Sequence, residues 1–508
     1  MLTIFVPQAE KLPVQQLIDA EYRLNEVVFI NDLLQVGEQQ AARHLIVKEH
    51  EIRLPIDWRN EAPPYLLAYP LVLTPDNLLA VVYTKLNNYE SAYEKAAGNP
   101  ALLRDIDLLN CIQHGVAVGF PQEPEAFDSP FEEYRFWHNA AVLGHYGELT
   151  RFVHYSVIRR YYERAFDLAP NDEWRAFTGK HWATLLLDAD ELAEAGVLLA
   201  DCIRFAVSED ALYELKNVQY GVWMKQLTAP YDPALLSQIK ETLWDVLQYY
   251  ERNQQSVQAA LLLIDAAQIA NYADSFSEAL GYVNRAIQLL EEEAIPELVA
   301  NAQYRKGTLL YTWAQNGNPQ FYRAAMEAYQ QALRVFSKEN APDVFAEIHH
   351  HLGVIFSEIP DEVKKKSVWA AVSMSSFREA LTFFTRETHP YEYARICNSF
   401  ANALTNFPEA KLSDNYTRAL SYYEEALDIR TADEYPYERV LTILNFLEAA
   451  WFVSVPEADQ QQALFAKMTR LAQEVPDLVD DPKLIAEADK QLAMLAQLKN
   501  DWQTINAL

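Results

Sequence analysis

A small residue, a bulky residue four positions on and another small one three beyond recur along this chain, at Ala279, Val283, Ala286, at Ala325, Tyr329, Ala332 and at Ala419, Tyr423, Ala426. Residues three and four apart share one face of an α-helix. Small residues one heptad apart let a neighbouring backbone come close, while the bulky residue between them fills the groove. The slots return with one substitution at Ile158, Tyr162, Ala165 and at Ala195, Leu199, Cys202. They are degraded at Val246, Tyr250, Asn253 and at Ala380, Phe384, Glu387. The pattern predicts the second helix of a repeated helical hairpin. It also explains why Tyr-Tyr-Glu occurs at 161, 249 and 422: the second tyrosine fills a slot, and Tyr161, Tyr249 and Tyr422 beside it are expected to be partly exposed.

The first helix of each hairpin should precede these slots. In "IHHHLGVIF" the Leu352-Gly353 pair followed by Phe356 gives a bulky, small, bulky stripe. Residues 78 to 100 supply a whole hairpin: Leu79, Ala80 and Tyr83, a polar turn at Asn87 and Asn88, then Ala92 and Ala96, closed by Pro100. These residues, with "YYERAFDLAPND" from Tyr161, resemble the tetratricopeptide repeat (TPR), in which a Trp, Leu-Gly, Tyr helix precedes an Ala, Phe, Ala helix and a terminal Pro. The resemblance covers roughly residues 75 to 455. It implies an all-α fold, a right-handed superhelix of antiparallel helical hairpins (a TPR-like α-solenoid), with a less regular N-terminal segment. Successive slots lie 33 to 55 residues apart, against a family period of about 34. Longer helices or inserted loops, such as "NGNPQ" near 316 and "IPDEVKKKS" near 359, must absorb the difference.

Composition agrees with a helical array. Only 13 of 508 residues are Gly, so the φ > 0 positions that strand-rich folds and phosphate loops need are scarce. Net charge is −30, and the deficit is general, with 20 acids against 10 bases already in residues 1 to 140. Such a surface repels phosphate backbones and argues against nucleic acid as a partner. The one basic run, Lys364 to Lys366, reads as a solvated loop. Cys111, Cys202 and Cys397 are widely separated and odd in number, which suits a reducing compartment rather than a disulfide framework. "MLTIFVPQAEKLP" lacks a basic n-region, and apolar blocks such as "AALLLI" fall far short of a membrane span. A soluble, cytoplasmic protein with no signal peptide, lipidation site or membrane partner is expected.

The expected organisation is an N-terminal, mostly helical segment over 1–120 containing the hairpin at 78–100, a Pro-rich linker at 121–133, helical repeats over 134–455 and capping helices over 456–508. Residues 14 to 50 read as helical, and 53 to 75 as extended or irregular because of their prolines.

Signatures of catalysis are scarce. The sequence carries no Gly-x-Gly-x-x-Gly, Walker loop, Gly-x-Ser-x-Gly or His-Glu-x-x-His. His349, His350 and His351 follow Glu347, but consecutive helical positions point apart, so three adjacent histidines should not converge on one ion. Asp188 and Asp190 read as turn acids and Cys202 as a packing residue. No metal site, catalytic residue or cofactor is assigned.

In the proteins that this one resembles, peptides lie along first-helix positions opposite the packing stripe. With Gly307, Gly353 and Ala401 in the small slots, those positions become Asn301, Tyr304, Thr308, Tyr311, His350, Arg395, Asn398, Asn402 and Thr405. Asn can hold an extended backbone through donor and acceptor at once, and Tyr adds contact area at small entropic cost. The Lys that chaperone-binding relatives use to clamp a terminal carboxylate is replaced by Asn77, Ile264, Tyr304, His350 or Asn398. The leading expectation is a non-enzymatic scaffold for a protein or peptide, a basic one given the charge. A peptide-responsive regulatory receptor, and an enzyme with its site around Trp58, Arg59 and Tyr65, are the alternatives. Self-association through apolar end faces stays open.

Overall fold

Caps and prolines set where the helices begin. Ser129, Asn171, Ser208 and Asp232 each accept a hydrogen bond from a backbone N–H of the following first turn, and Pro130 and Pro233 stand where a missing N–H costs nothing. The computed structural model describes residues 2–33, 44–59, 63–67, 71–148, 153–206, 208–228, 231–407, 414–453 and 457–506. It divides into two compact units, Met1–Asn253 and Gln254–Leu508.

The first unit opens with β1 (Leu2–Val6), α1 (Gln8–Ala20), β2 (Val28–Asp32), β3 (His44–Lys48), β4 (Glu51–Arg53) and β5 (Leu71–Val72). They form a five-stranded sheet in the order β2-β1-β3-β4-β5. β1 runs parallel to both β2 and β3, and β4 is antiparallel to β3 and β5. Leu2, Ile4, Val6, Leu45, Val47 and Ile52 are buried in the core they share with α2 (Pro75–Lys85) and α3 (Tyr89–Ala96). The helix expected across residues 14 to 50 therefore stops at Ala20, and the described strands beyond it, with α2 and α3 following, make the N-terminal segment mixed rather than mostly helical. The runs "VFIND" and "HLIVK" are β-branched and aromatic, which suits a pleated, half-buried surface.

Next come α4 (Pro100–Gln113) and three helix pairs: α5 (Pro130–Tyr146) with α6 (Tyr155–Leu168), α7 (Asp172–Asp188) with α8 (Leu192–Phe205), and α9 (Glu209–Gln226) with α10 (Pro233–Arg252). The Pro-rich stretch at 121–133 lies within this unit, where Phe127 meets Phe136 at 5.5 Å.

The second unit contains four further pairs: α11 (Ser256–Tyr272) with α12 (Phe276–Glu292), α13 (Pro296–Gln315) with α14 (Tyr322–Ala332), α15 (Pro342–Glu358) with α16 (Val363–Phe383), and α17 (Pro390–Asn406) with α18 (Asn415–Ile429). α19 (Pro436–Ala450), α20 (Ala458–Leu478) and α21 (Pro482–Asn506) complete it. Lys364 to Lys366 fall in the first turn of α16 rather than in a loop.

Each complete small–bulky–small triplet lies on the second helix of a pair. Ala279, Val283, Ala286, Ala325, Tyr329, Ala332, Ala419, Tyr423 and Ala426 are all 2% exposed or less. The degraded copies have a structural cause: α10 ends at Arg252 and α16 at Phe383, so Asn253 and Glu387 stand past the helix ends. Tyr161 and Tyr422 are half-buried as expected, but Tyr249 is fully buried, stacked on Tyr213 at 4.4 Å with its hydroxyl donating to Asp210. The scarcity of Gly is resolved at the turns, where Asn87, Asp190, Asp274 and Ala294 take left-handed backbone themselves, with φ between 54° and 58°.

Candidate functional site

Glycine fixes how the first helices sit. A Cβ on Gly307 would lie 2.7 Å from the Tyr329 ring, and one on Gly353 3.0 Å from Phe377. These contacts press α13 onto α14 and α15 onto α16, so the opposite faces of α13 and α15 are turned away from their partners. First helices also meet one another: α11 touches α13, α15 touches α17, and α17 touches α19.

Eight of the nine expected groove residues are accessible on these faces. Asn301 is exposed, and Tyr304, Thr308, Tyr311, Arg395, Asn398, Asn402 and Thr405 are half-buried. His350 departs from the expectation. It is only 4% exposed, enclosed between α15 and α17, with Nε2 against Ser399 Oγ at 3.1 Å and its ring 6.1 Å from Phe377. Asn402 is already engaged, accepting a hydrogen bond from Tyr423 at 2.5 Å, and Thr405 donates back to the Asn402 carbonyl at 2.7 Å. Asn398 receives only a long contact, 3.5 Å from Asn445.

The upper half of the row is organised around a carboxylate that was not among the expected residues. Arg395 donates to both oxygens of Glu347, at 3.0 and 2.6 Å. His351 Nε2 lies 3.2 Å from Oε1 of the same group. His351 Nδ1 meets the Tyr329 hydroxyl at 2.8 Å, which meets Thr308 Oγ1 at 3.1 Å, and Tyr311 stacks on the His351 ring at 5.5 Å. Burial opposes ionisation of Glu347, but the adjoining His350, His351 and Arg395 outweigh it and hold the carboxyl far below the usual range. Burial pushes His350 down to about 4, so its ring is neutral at neutral pH.

That three successive histidines cannot meet holds for His349, whose ring turns aside onto Phe345 at 4.4 Å. The ligand atoms of Glu347, His350 and His351, by contrast, lie within 4.8 Å of one another. The readable signal was the spacing: Glu347 stands three and four residues before the two histidines, which puts all three on one helical face.

The N-terminal alternative meets a different arrangement. Trp58 Nε1 donates to Glu173 at 2.8 Å, Arg59 to Asp210 at 2.7 Å and Asn253 at 3.0 Å, and Tyr65 to Asp105 at 3.0 Å. These side chains tether their segment to α4, α7, α9 and α10. Beside it lies a cleft of about 790 Å³ whose walls include Tyr65, Phe131, Trp174, Phe177, Lys180 and His181. Lys180 is paired with Glu214 at 2.8 Å. His181 meets the Tyr146 hydroxyl through Nδ1 at 3.0 Å, and burial followed by the neighbouring Lys180 holds its pKa well below the ordinary value.

Buried Ala-bulky-Ala slots, the close glycine contacts of α13 on α14 and of α15 on α16, and paired helices along both units define the class: a TPR-like helical repeat protein carrying an added N-terminal sheet. No family model matches the chain, and no curated protein does. Among solved structures, it is similar to a Pyrococcus horikoshii signal-transduction ATPase with numerous domains and a tetratricopeptide repeat sensor, at 12% identity and a TM-score of 0.47, over 99% of this chain and 78% of that one. Yeast Tom70 aligns at 10% identity and a TM-score of 0.34, over 84% and 82% of the two chains. The Cut9–Hcn1 hetero-tetramer of APC/C aligns at 13% identity and 0.34, over 84% of each. These likenesses concern the fold alone. Among the described residues, no helix is long and apolar enough to cross a membrane.

Proposed function

We propose that this protein is a non-enzymatic scaffold that binds an extended protein or peptide segment along the first helices of its second unit. The observation that carries the reading is the row of accessible polar and aromatic side chains, Asn301, Tyr304, Thr308, Tyr311, Arg395 and Asn398, on helices whose other faces are locked by packing. Rigid helices present such groups with little ordering cost, and Asn and Tyr suit recognition of a backbone more than of one sequence. The net charge of −30 favours a basic segment. A random peptide library sorted on the purified chain should enrich Lys- and Arg-containing extended peptides. Their retention should fall at least tenfold when Tyr304→Ala and Asn398→Ala are combined. Enrichment indifferent to both substitutions would reject this row as the recognition surface.

The cleft beside Tyr65 and His181 supports a second reading, a small-molecule site in the first unit. A fragment screen that shifts the melting temperature of wild type but not of a His181→Phe variant would favour it. Equal shifts in both proteins would count against it.

A further inference from the structure

We propose that Glu347, His350 and His351 form a binding site for one divalent transition-metal ion, zinc foremost. Three ligands of this kind, two imidazoles and a carboxylate, are the set that holds zinc while leaving a coordination position open. The helix supplies the convergence, because positions three and four after Glu347 both lie over the same turn. Their ligand atoms already lie within 4.8 Å of one another.

The second observation is the state of His350. It is 4% exposed, its Nε2 is taken by Ser399, and its Nδ1 has no hydrogen-bond partner. A buried polar atom left unpaired costs free energy unless something meets it. With Nε2–H donating to Ser399, the lone pair of Nδ1 is the one presented to an ion.

His351 is prepared in the complementary sense. Its Nδ1 can donate to the Tyr329 hydroxyl, which donates to Thr308, which in turn donates to the Tyr304 carbonyl at 3.2 Å. That direction of the chain leaves the Nε2 lone pair facing Glu347 Oε1, 3.2 Å away, where a cation is needed between them. Fixing each ring through its second nitrogen is how metal-ligating histidines are usually oriented. Arg395 occupies one lone pair on each oxygen of Glu347. A carboxylate has about four such positions, so the pairing leaves room for a metal bond.

The test is equilibrium dialysis of the full chain, stripped with chelator, against zinc alone, with metal analysis of the protein. Wild type should take up one zinc per chain. Glu347→Gln and His351→Gln should lose it, Tyr329→Phe should weaken it about tenfold, and His349→Ala should leave it unchanged. Melting curves establish that each variant is folded. Because a ligand variant could fail that check, cobalt(II) titration of wild type gives a second readout: intense visible d–d absorption of a four- or five-coordinate site, displaced by one equivalent of zinc. Uptake unaltered in Glu347→Gln and His351→Gln, no stoichiometric uptake by wild type, or only the pale spectrum of hydrated cobalt would overturn the proposal and leave the cluster an ion-pair network.

Discussion

Arg395 on α17 grips both carboxylate oxygens of Glu347 on α15, joining the first helices of two successive hairpins. Charge-assisted bidentate pairs are stronger than neutral hydrogen bonds. Arg395→Ala is expected to cost about 2 kcal/mol at pH 7 in urea unfolding, on the scale of hydrogen bonds to charged groups. The Glu347 pKa is depressed in the fold, so its contribution is present above the unfolded value near 4.3 and is lost as pH falls below it. The difference between wild type and Arg395→Ala should therefore narrow below about pH 4. A gap that is constant from pH 7 to pH 3 would contradict the ionic account.

Gly307 and Gly281 both lie inside helices, yet they should respond oppositely to Ala. A Cβ on Gly307 meets the Tyr329 ring at 2.7 Å, whereas one on Gly281 meets nothing within 4 Å. Gly307→Ala should destabilise by about 1–3 kcal/mol through overpacking, while Gly281→Ala should stabilise by roughly 0.5–1 kcal/mol. Thermal melts of the two variants check both signs.

Ala294 holds φ at +55° in the turn between α12 and α13. A left-handed backbone costs a residue with a Cβ about 1 kcal/mol, which Gly avoids. Ala294→Gly is expected to raise stability by up to that amount, less the entropy that Gly loses on folding. Lower stability in the variant would mean that the Ala294 methyl group contributes packing worth more than the backbone term.

His138 is fully buried between Thr178 Oγ1 at 3.0 Å and the Pro64 carbonyl at 2.9 Å, and burial pushes its pKa down to about 4. The unfolded histidine, near 6.5, takes up a proton first as pH falls. Between about pH 6.5 and 4 the unfolded state thus binds more protons, and stability should decline with acidification. His138→Leu should remove one proton from that slope, although its own stability at pH 7 will be lower for the lost hydrogen bonds. Urea midpoints recorded across this range test it, and an unchanged slope would count against the buried neutral ring.

The hairpin array was legible because its packing obeys a local rule. Ala325, Tyr329 and Ala332 need only helical spacing to reveal their common face, and all three are fully buried. The sheet was not legible. Its tight β3–β4 turn uses Glu49 and His50, at φ 57° and 62°, where Asn-Gly or Gly would ordinarily announce a hairpin. β1 pairs with β2 across an intervening helix, a contact that no local pattern encodes. On the candidate site, helical spacing alone puts Asn301, Tyr304 and His350 on corresponding positions, and it cannot show the burial of His350, which depends on Phe377 and Ser399 from other helices. Glu347 stands out only on the i, i+3, i+4 face that it shares with His350 and His351, not in the run of three consecutive histidines.

The accessible row on α13 and α17 is proposed to recognise an extended basic segment. Fluorescence anisotropy of one labelled library-selected peptide, titrated with wild type and with the Tyr304→Ala, Asn398→Ala double variant, tests it most directly. Saturable binding to wild type that weakens with added salt is expected, as charge complementarity requires, with at least tenfold weaker binding to a fully folded variant. Equal affinity for both proteins, or affinity independent of salt, would contradict it.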